Sequence, residues 1–579
     1  MTTSTADTLD EGERDAPEGV DAPPEADGDR STGARVAGVL ADWAPVVVGM
    51  LPVLAMLLIG LWSVGDSRAP ASDLAILEIA TRNAMRGRQY LGAYSRYGWN
   101  HPGPAMFYWF APFYQLTGRE LGGLAVASIT MSGLSVGLII RTVQRTAGRA
   151  AAWATAAALP VFIWLVGFDR VQSPWNPDVL LIAMGALGVV GAAAVLGRRW
   201  ALPAGAFLAC WVAQAHLGAI PLALALCVFF VAFTLWLQRR ELRRWIVPGV
   251  LALAITGAMW APVIWENSTR TPGNVTKIIE FYERDDGSEP HSWSQSASAV
   301  SAAVVGRHWT FADEELSAGW HAGTVVLVGI VAVGAVTGWL RRRRGEPTDF
   351  QAVVCTLGLL AVPVALVSVH NVRGPIYGYI LSFAVGLGFL LWTGAAVTVA
   401  GFVSALARSE RLPARAPVLR KMGIGLAVLV AVAVTARVPA NGGWNRSWDA
   451  PEGRYEVFHR LGVDNDQVRS VADAALESPL VDSGDRVEVE WGGVGWEIAA
   501  GVVNMLEKHD VRAKVNGDAE GKLLFGEQLL TDGSESARVV MVQVGPDGEA
   551  PEFSPERPSE RYRVDDGEGY EVYVVPLDR

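Results

Sequence analysis

Asp73 and Glu78 stand shortly before the run Tyr94-Ser-Arg-Tyr-Gly-Trp-Asn-His-Pro-Gly-Pro, which contributes Arg96 and His101 and continues through Tyr108 and Trp109. Carboxylates take up protons, an arginine fork matches the oxygens of a phosphate, and a histidine serves either purpose. Apolar runs flank this segment on both sides. Ionisable groups at a membrane interface are costly unless solvated or paired, so the cluster marks a candidate site. Three later groups are of the same kind: Arg170 with Asp178, Gln214 with His216, and His370 with Arg373.

The elements that must position these residues are mostly apolar. The chain has 579 residues, 51% hydrophobic and 18% charged, which excludes a single soluble domain and fits a multi-span membrane protein with soluble parts. A net charge of −11 without a basic face argues against nucleic acid as a partner. Residues 1–40 read as a disordered, acidic cytoplasmic tail, because their first thirty are rich in Asp, Glu, Pro and Gly. The first apolar run follows without a basic leader or a clear cleavage site, as in a retained signal anchor. Cys210, Cys227 and Cys355 all lie within apolar runs and read as buried small residues, not as disulfides or metal ligands.

About eleven spans are expected, at 43–64, 121–140, 150–168, 178–197, 200–216, 218–238, 245–265, 322–340, 350–370, 375–400 and 420–439. The run 375–407 is long enough for a second crossing, but the basic loop after it favours one. Arginine-rich loops after the second, fourth, sixth, eighth and tenth spans fall on one side if the N-terminus is cytoplasmic. Residues 41–440 then form a polytopic domain with an outer catalytic loop at 65–120, and 441–579 an extracytoplasmic domain. Within that tail, 465–477 and 494–508 pattern as helices and 486–491, 511–515, 537–543 and 569–576 as strands, a small α/β domain. The outer segment 266–321 is expected to form short helices lying on the membrane surface.

With the topology set, the motif Pro102-Gly-Pro-Ala-Met-Phe-Tyr108-Trp109, the basic turn Gly148-Arg149-Ala-Ala151 and the loop from Arg170 to Asp178 resemble those of the GT-C glycosyltransferases. The branch most similar is that of the protein O-mannosyltransferases and aminoarabinose transferases. The resemblance covers about residues 43–200. It implies a GT-C-like fold, a polyprenyl-phosphate-linked sugar as donor, and a glycan, lipid or protein acceptor on the outer side of the cytoplasmic membrane. It also implies an acidic base after the first span and inversion at the anomeric carbon. A polytopic transporter or lipid flippase is the alternative, and a non-catalytic envelope scaffold a third reading.

Transfer from a lipid phosphate needs a base for the acceptor hydroxyl and positive groups for the departing phosphate. Asp73 is the expected base, although Ser72 and Asp73 are also good helix caps. Glu78 is a second acid, a metal ligand or a partner for Arg82. Arg96 and His101 would bind phosphate or sugar hydroxyls, or anchor the loop at the interface. Tyr108 would stack on sugar or belong to an aromatic belt. Arg170 and Asp178 form a phosphate site or a structural pair. Gln214 and His216 face the site or bond a neighbouring helix. His370 and Arg373 sit on a short outer loop suited to phosphate. No metal-ligand spacing occurs and no cofactor is required by the sequence, while a divalent cation is left open.

Overall fold

The computed structural model describes residues 28–65, 68–284, 289–306, 321–346, 349–408, 416–439, 465–491, 495–543, 561–564 and 570–577. Two compact units are distinguished, Met1–Ala44 and Pro45–Arg579. In the first, residues 1–27 lie outside the described residues. Helix Gly28–Trp62 opens there, so part of the 1–40 segment expected to be disordered is helical, with Arg35 and Ala37 favouring the extension. The second unit contains all that follows.

Among the described residues nine helices are long and apolar enough to cross a membrane, and two shorter apolar helices, Leu181–Val195 and Ala201–Ala215, occupy the remaining two expected places. The molecule is a multi-span membrane protein with a small sheet domain near its C-terminus. The run 375–407 forms one helix, Ser382–Arg408. It is central, packing on Arg149–Val166, Leu181–Val195 and Phe350–His370. Its apolar stretch is 83% buried, whereas that of Arg239–Thr269 is 11% buried, so the latter helix offers its apolar surface to lipid. Helix Leu181–Val195 is buried throughout. Glycines let it approach its neighbours: a Cβ at Gly185, Gly188 or Gly191 would come within 2.4, 2.5 or 2.6 Å of Phe389, Leu390 and Phe230.

The segment after the first span folds as helix Ser72–Met85, a two-residue hairpin pairing Tyr94–Ser95 with Trp99–Asn100, and helix Ala105–Leu116. Gly98, at a φ of 82°, closes the hairpin turn with its N–H on the Ser95 carbonyl. In 266–321 the expected surface helices are met only in part. Helix Asn274–Glu283 is amphipathic and leaves Ile279 and Tyr282 exposed. Helix Trp293–Val304 instead buries Ser296 to Val304 among three long helices, because its serines and alanines are small enough to pack there. Residues 307–320 lie outside the described residues.

In the tail, helices Asp466–Leu476 and Trp496–Lys508 and strands Arg486–Glu490, Arg512–Val515, Ala537–Gln543 and Tyr570–Pro576 stand where the periodicity set them. A fifth strand, Arg561–Val564, and a short helix, Ala519–Phe525, were not expected. The sheet runs from Arg512–Val515 through Arg486–Glu490, Ala537–Gln543 and Tyr570–Pro576 to Arg561–Val564, with the first three strands parallel and the last two antiparallel. Residues 440–464 lie outside the described residues.

Helix Ser72–Met85 joins the two parts. Leu74, Leu77, Ala80 and Ala84 belong to the core of the helical bundle, and Ala75, Ile76 and Ile79 to the core of the tail domain. A helix with two apolar faces must be covered on both sides.

Candidate active site

A cavity of about 990 Å³ opens where these pieces meet, and its walls include Asp73, Arg96, His101, His216 and Arg373. The sequence thus places five of its candidates around one space, from parts of the chain 300 residues apart.

Asp73 does not cap its helix. The cap position is Ala71, without a side-chain bond, and Ser72 has a φ of 54°. The Asp73 carboxylate instead accepts a hydrogen bond from the Tyr94 hydroxyl, and the Trp175 side chain donates another. Burial raises its proton affinity above the ordinary aspartate value, against the two hydrogen bonds, and the nearby Glu497 carboxylate adds to the rise. A raised proton affinity suits a group that must take a proton near neutral pH.

A row of rings leads from this carboxylate to a cation. Trp175 lies 5.1 Å from Tyr379, Tyr379 stacks on Tyr377 at 5.7 Å, and the Arg96 guanidinium sits 4.3 Å above the Tyr377 ring. Arg96 is exposed, and among the described residues no carboxylate pairs with it. Its charge is therefore available to an anion. Arg373 is engaged differently: it donates to the carbonyls of Phe281, Tyr282 and Arg284 and closes the C-terminal end of helix Asn274–Glu283. A cation there also complements the helix dipole.

His101 and His216 lie ring to ring, 4.5 Å apart. The Nδ1 of His101 accepts from the Leu217 N–H at 3.1 Å, and that of His216 from the Gly218 N–H at 3.2 Å. Both rings therefore carry their proton on Nε2. Burial and the adjacent His216 hold His101 well below its usual range. The pair is neutral and offers hydrogen-bond donors without charge.

The other candidates stand outside the cavity wall. Glu78 is fully buried, accepting from the Tyr114 hydroxyl at 2.7 Å and pairing with Lys508 at 3.3 Å. Lys508 also reaches Glu120 at 3.5 Å and the Arg68 carbonyl at 3.3 Å. Arg82 turns to the tail domain, donating to Asn504 at 2.5 Å and pairing with Glu507 at 3.6 Å, while Asn504 donates to the Ala75 carbonyl at 2.8 Å. Arg170 is bound to Asp178 at 2.9 Å and to the Ser382 hydroxyl at 2.7 Å. Between them, Asn176 and Pro177 reach the cavity, so the pair braces the loop. Gln214 holds the Gly103 turn, accepting from the Ala105 N–H at 3.2 Å and donating to the Met259 carbonyl at 2.9 Å. Tyr108 donates to the Gln89 carbonyl at 2.9 Å. His370 stacks on Trp293 at 4.0 Å and is bonded to the His291 carbonyl at 2.5 Å.

Sequence reasoning did not single out Trp175, Tyr379, Trp496 or Glu497, all on the cavity wall. Aromatic residues near spans read as an interface belt, and nothing in the tail marks its helix as facing a site. Among the described residues no group of three His, Cys, Asp or Glu is placed to hold a metal ion.

The fold so built is of the GT-C type. No family model matches the sequence, and no curated protein matches it. Among solved structures it is similar to ArnT from Cupriavidus metallidurans bound to undecaprenyl phosphate, at 15% identity and a TM-score of 0.53, over 90% of this chain and 97% of that one. The apo state of the same protein matches at 13% identity and a TM-score of 0.50, over 94% and 98% of the two chains.

Proposed function

We propose that the protein is a membrane glycosyltransferase that moves a sugar from a polyprenyl-phosphate donor to an acceptor hydroxyl on the outer side of the cytoplasmic membrane. The observation that carries this reading is one cavity with a carboxylate of raised proton affinity, an exposed guanidinium that has no carboxylate partner among the described residues, and a row of aromatic rings joining them. The binding of undecaprenyl phosphate by ArnT, which has the same fold, supports a lipid phosphate as the donor's carrier.

Asp73 takes the proton of the acceptor hydroxyl as its oxygen attacks the anomeric carbon. The bond from that carbon to the phosphate oxygen breaks, and the sugar is inverted. The leaving polyprenyl phosphate gains one negative charge, which Arg96 offsets; charge-assisted bonds of this kind are the stronger ones. The rings of Trp175, Tyr379 and Tyr377 provide apolar faces for the sugar between the two groups. Tyr94 and Trp175 fix the carboxylate so that little reorganisation remains for the transition state. The buried pairs Glu78–Lys508 and Arg170–Asp178 hold the helix and the loop that carry these groups.

The test is to reconstitute the full chain in lipid nanodiscs with radiolabelled synthetic prenyl-phosphate hexoses and pentoses and to follow release of prenyl phosphate. Acceptor-dependent release is expected with at least one sugar. No release with any of them, together with uptake of a labelled solute into proteoliposomes, would replace this reading with the transporter.

A further inference from the structure

Two residues of the C-terminal domain reach into the cavity, Trp496 and Glu497, in the first turn of helix Trp496–Lys508. We infer that Trp496 and Glu497, together with Asp73 and Tyr94, form the acceptor subsite, and that this subsite takes a neutral polyhydroxylated acceptor, a carbohydrate, in preference to an anionic one or a peptide. The inference rests on the sugar-transfer reading and deepens it.

Adjacency comes first. Tyr94 donates its hydroxyl hydrogen bond to Asp73, and its ring meets Trp496 edge-on at 5.2 Å. Glu497 follows in sequence and acts electrostatically on both Asp73 and Tyr94. A hydroxyl held at Asp73 therefore has the rest of its molecule against Trp496 and Glu497.

Charge assigns the corner. Asp73 and Glu497 put two carboxylates at one end of the cavity, while Arg96 lies at the other end of the ring row. A donor phosphate is repelled from the first and drawn to the second. In an inverting displacement the acceptor enters opposite the leaving group, which is the carboxylate corner. The same repulsion disfavours an acidic acceptor.

Chemistry then selects the acceptor. A carboxylate only accepts hydrogen bonds, so Glu497 needs donors from its ligand. Among the described residues no cation pairs with it. Its carboxylate folds over Gly495, where a Cβ would lie 2.2 Å from Oε2, so the backbone is cut away to seat it. An indole face beside an acceptor-only group matches a sugar ring, with its apolar C–H face and its neighbouring hydroxyls. The simpler role of Glu497, complementing the helix dipole, affects stability and not the acceptor.

The experiment measures both KM values of the full chain in nanodiscs. The acceptor probes are a neutral octyl glycoside, the matching octyl uronide and a serine-containing peptide. Glu497→Gln should raise the KM for the octyl glycoside roughly tenfold, with the donor KM and the melting temperature unchanged, and should narrow the preference over the uronide. Trp496→Ala should raise the same KM, and Trp496→Phe should restore part of it. A working enzyme whose acceptor KM ignores both sites, or that uses the peptide as well as the glycoside, overturns the subsite alone. Wild-type protein that releases no prenyl phosphate with any acceptor overturns the sugar-transfer reading and the subsite with it.

Discussion

Helix Ser72–Met85 carries two acidic residues that meet opposite fates. Asp73, in its first turn, faces an open cavity and is held, among the described residues, by a tyrosine and an indole. Glu78, one and a half turns on, is sealed between the bundle and the tail domain and is met by Tyr114 and Lys508. The cations divide in the same way. Arg96 lies exposed over Tyr377, whereas Arg82 and Arg170 are spent on Asn504, Glu507, Asp178 and Ser382. Charge near a membrane is thus of two kinds. Buried and paired, it fixes the geometry; aimed at an open space and left without a countercharge, it is available for chemistry.

The division can be broken at several points. Lys508→Ala should cost about 3–5 kcal/mol, because it leaves the Glu78 charge buried without its cation, and Glu78→Ala should cost less, because Lys508 keeps Glu120. Thermal melting of the purified full chain checks this, and a variant of normal stability that has lost transfer would move Glu78 into the active site. Arg96→Ala should raise the donor KM roughly 10–100-fold at unchanged stability. Arg170→Ala should instead lower the melting temperature, since Asp178 stays buried without its cation. Tyr94→Phe should shift the acid limb of the rate profile upward by about one pH unit. The Tyr94 hydrogen bond favours ionised Asp73; without it, burial raises the carboxyl further and the base is lost at a higher pH. The smallest effect is expected of Tyr108→Phe, which removes one bond to the Gln89 carbonyl and should cost about 1 kcal/mol while leaving transfer intact.

Much of this architecture is legible in the sequence, for physical reasons. Apolar runs of span length and arginine-rich loops locate the helices because the bilayer imposes both. Period-two and helical patterns locate most of the tail because one face of each element is buried. Asp73, Arg96 and His101 are legible because polar residues between spans demand a reason. What is not legible is how each demand is met. Lys508 and Asn504 answer Glu78 and Arg82 from more than 400 residues away, and no local pattern announces such a pairing. For the same reason Trp496 and Glu497 look like any helix start until the tail domain is folded against helix Ser72–Met85. The four-residue strand Arg561–Val564 is too short to show a period.

The account turns on Asp73 as the base, and the most direct measurement compares wild-type and Asp73→Asn protein under donor saturation, with melting recorded on the same samples. Because the folded state holds the Asp73 proton more tightly than the unfolded chain, stability from this group falls as pH rises from the ordinary aspartate value through the raised one. At neutral pH the Asn variant should therefore melt no lower than wild type. Its transfer rate should fall by about 10²–10⁴-fold. A stably folded Asp73→Asn protein that transfers sugar at the wild-type rate would contradict the account.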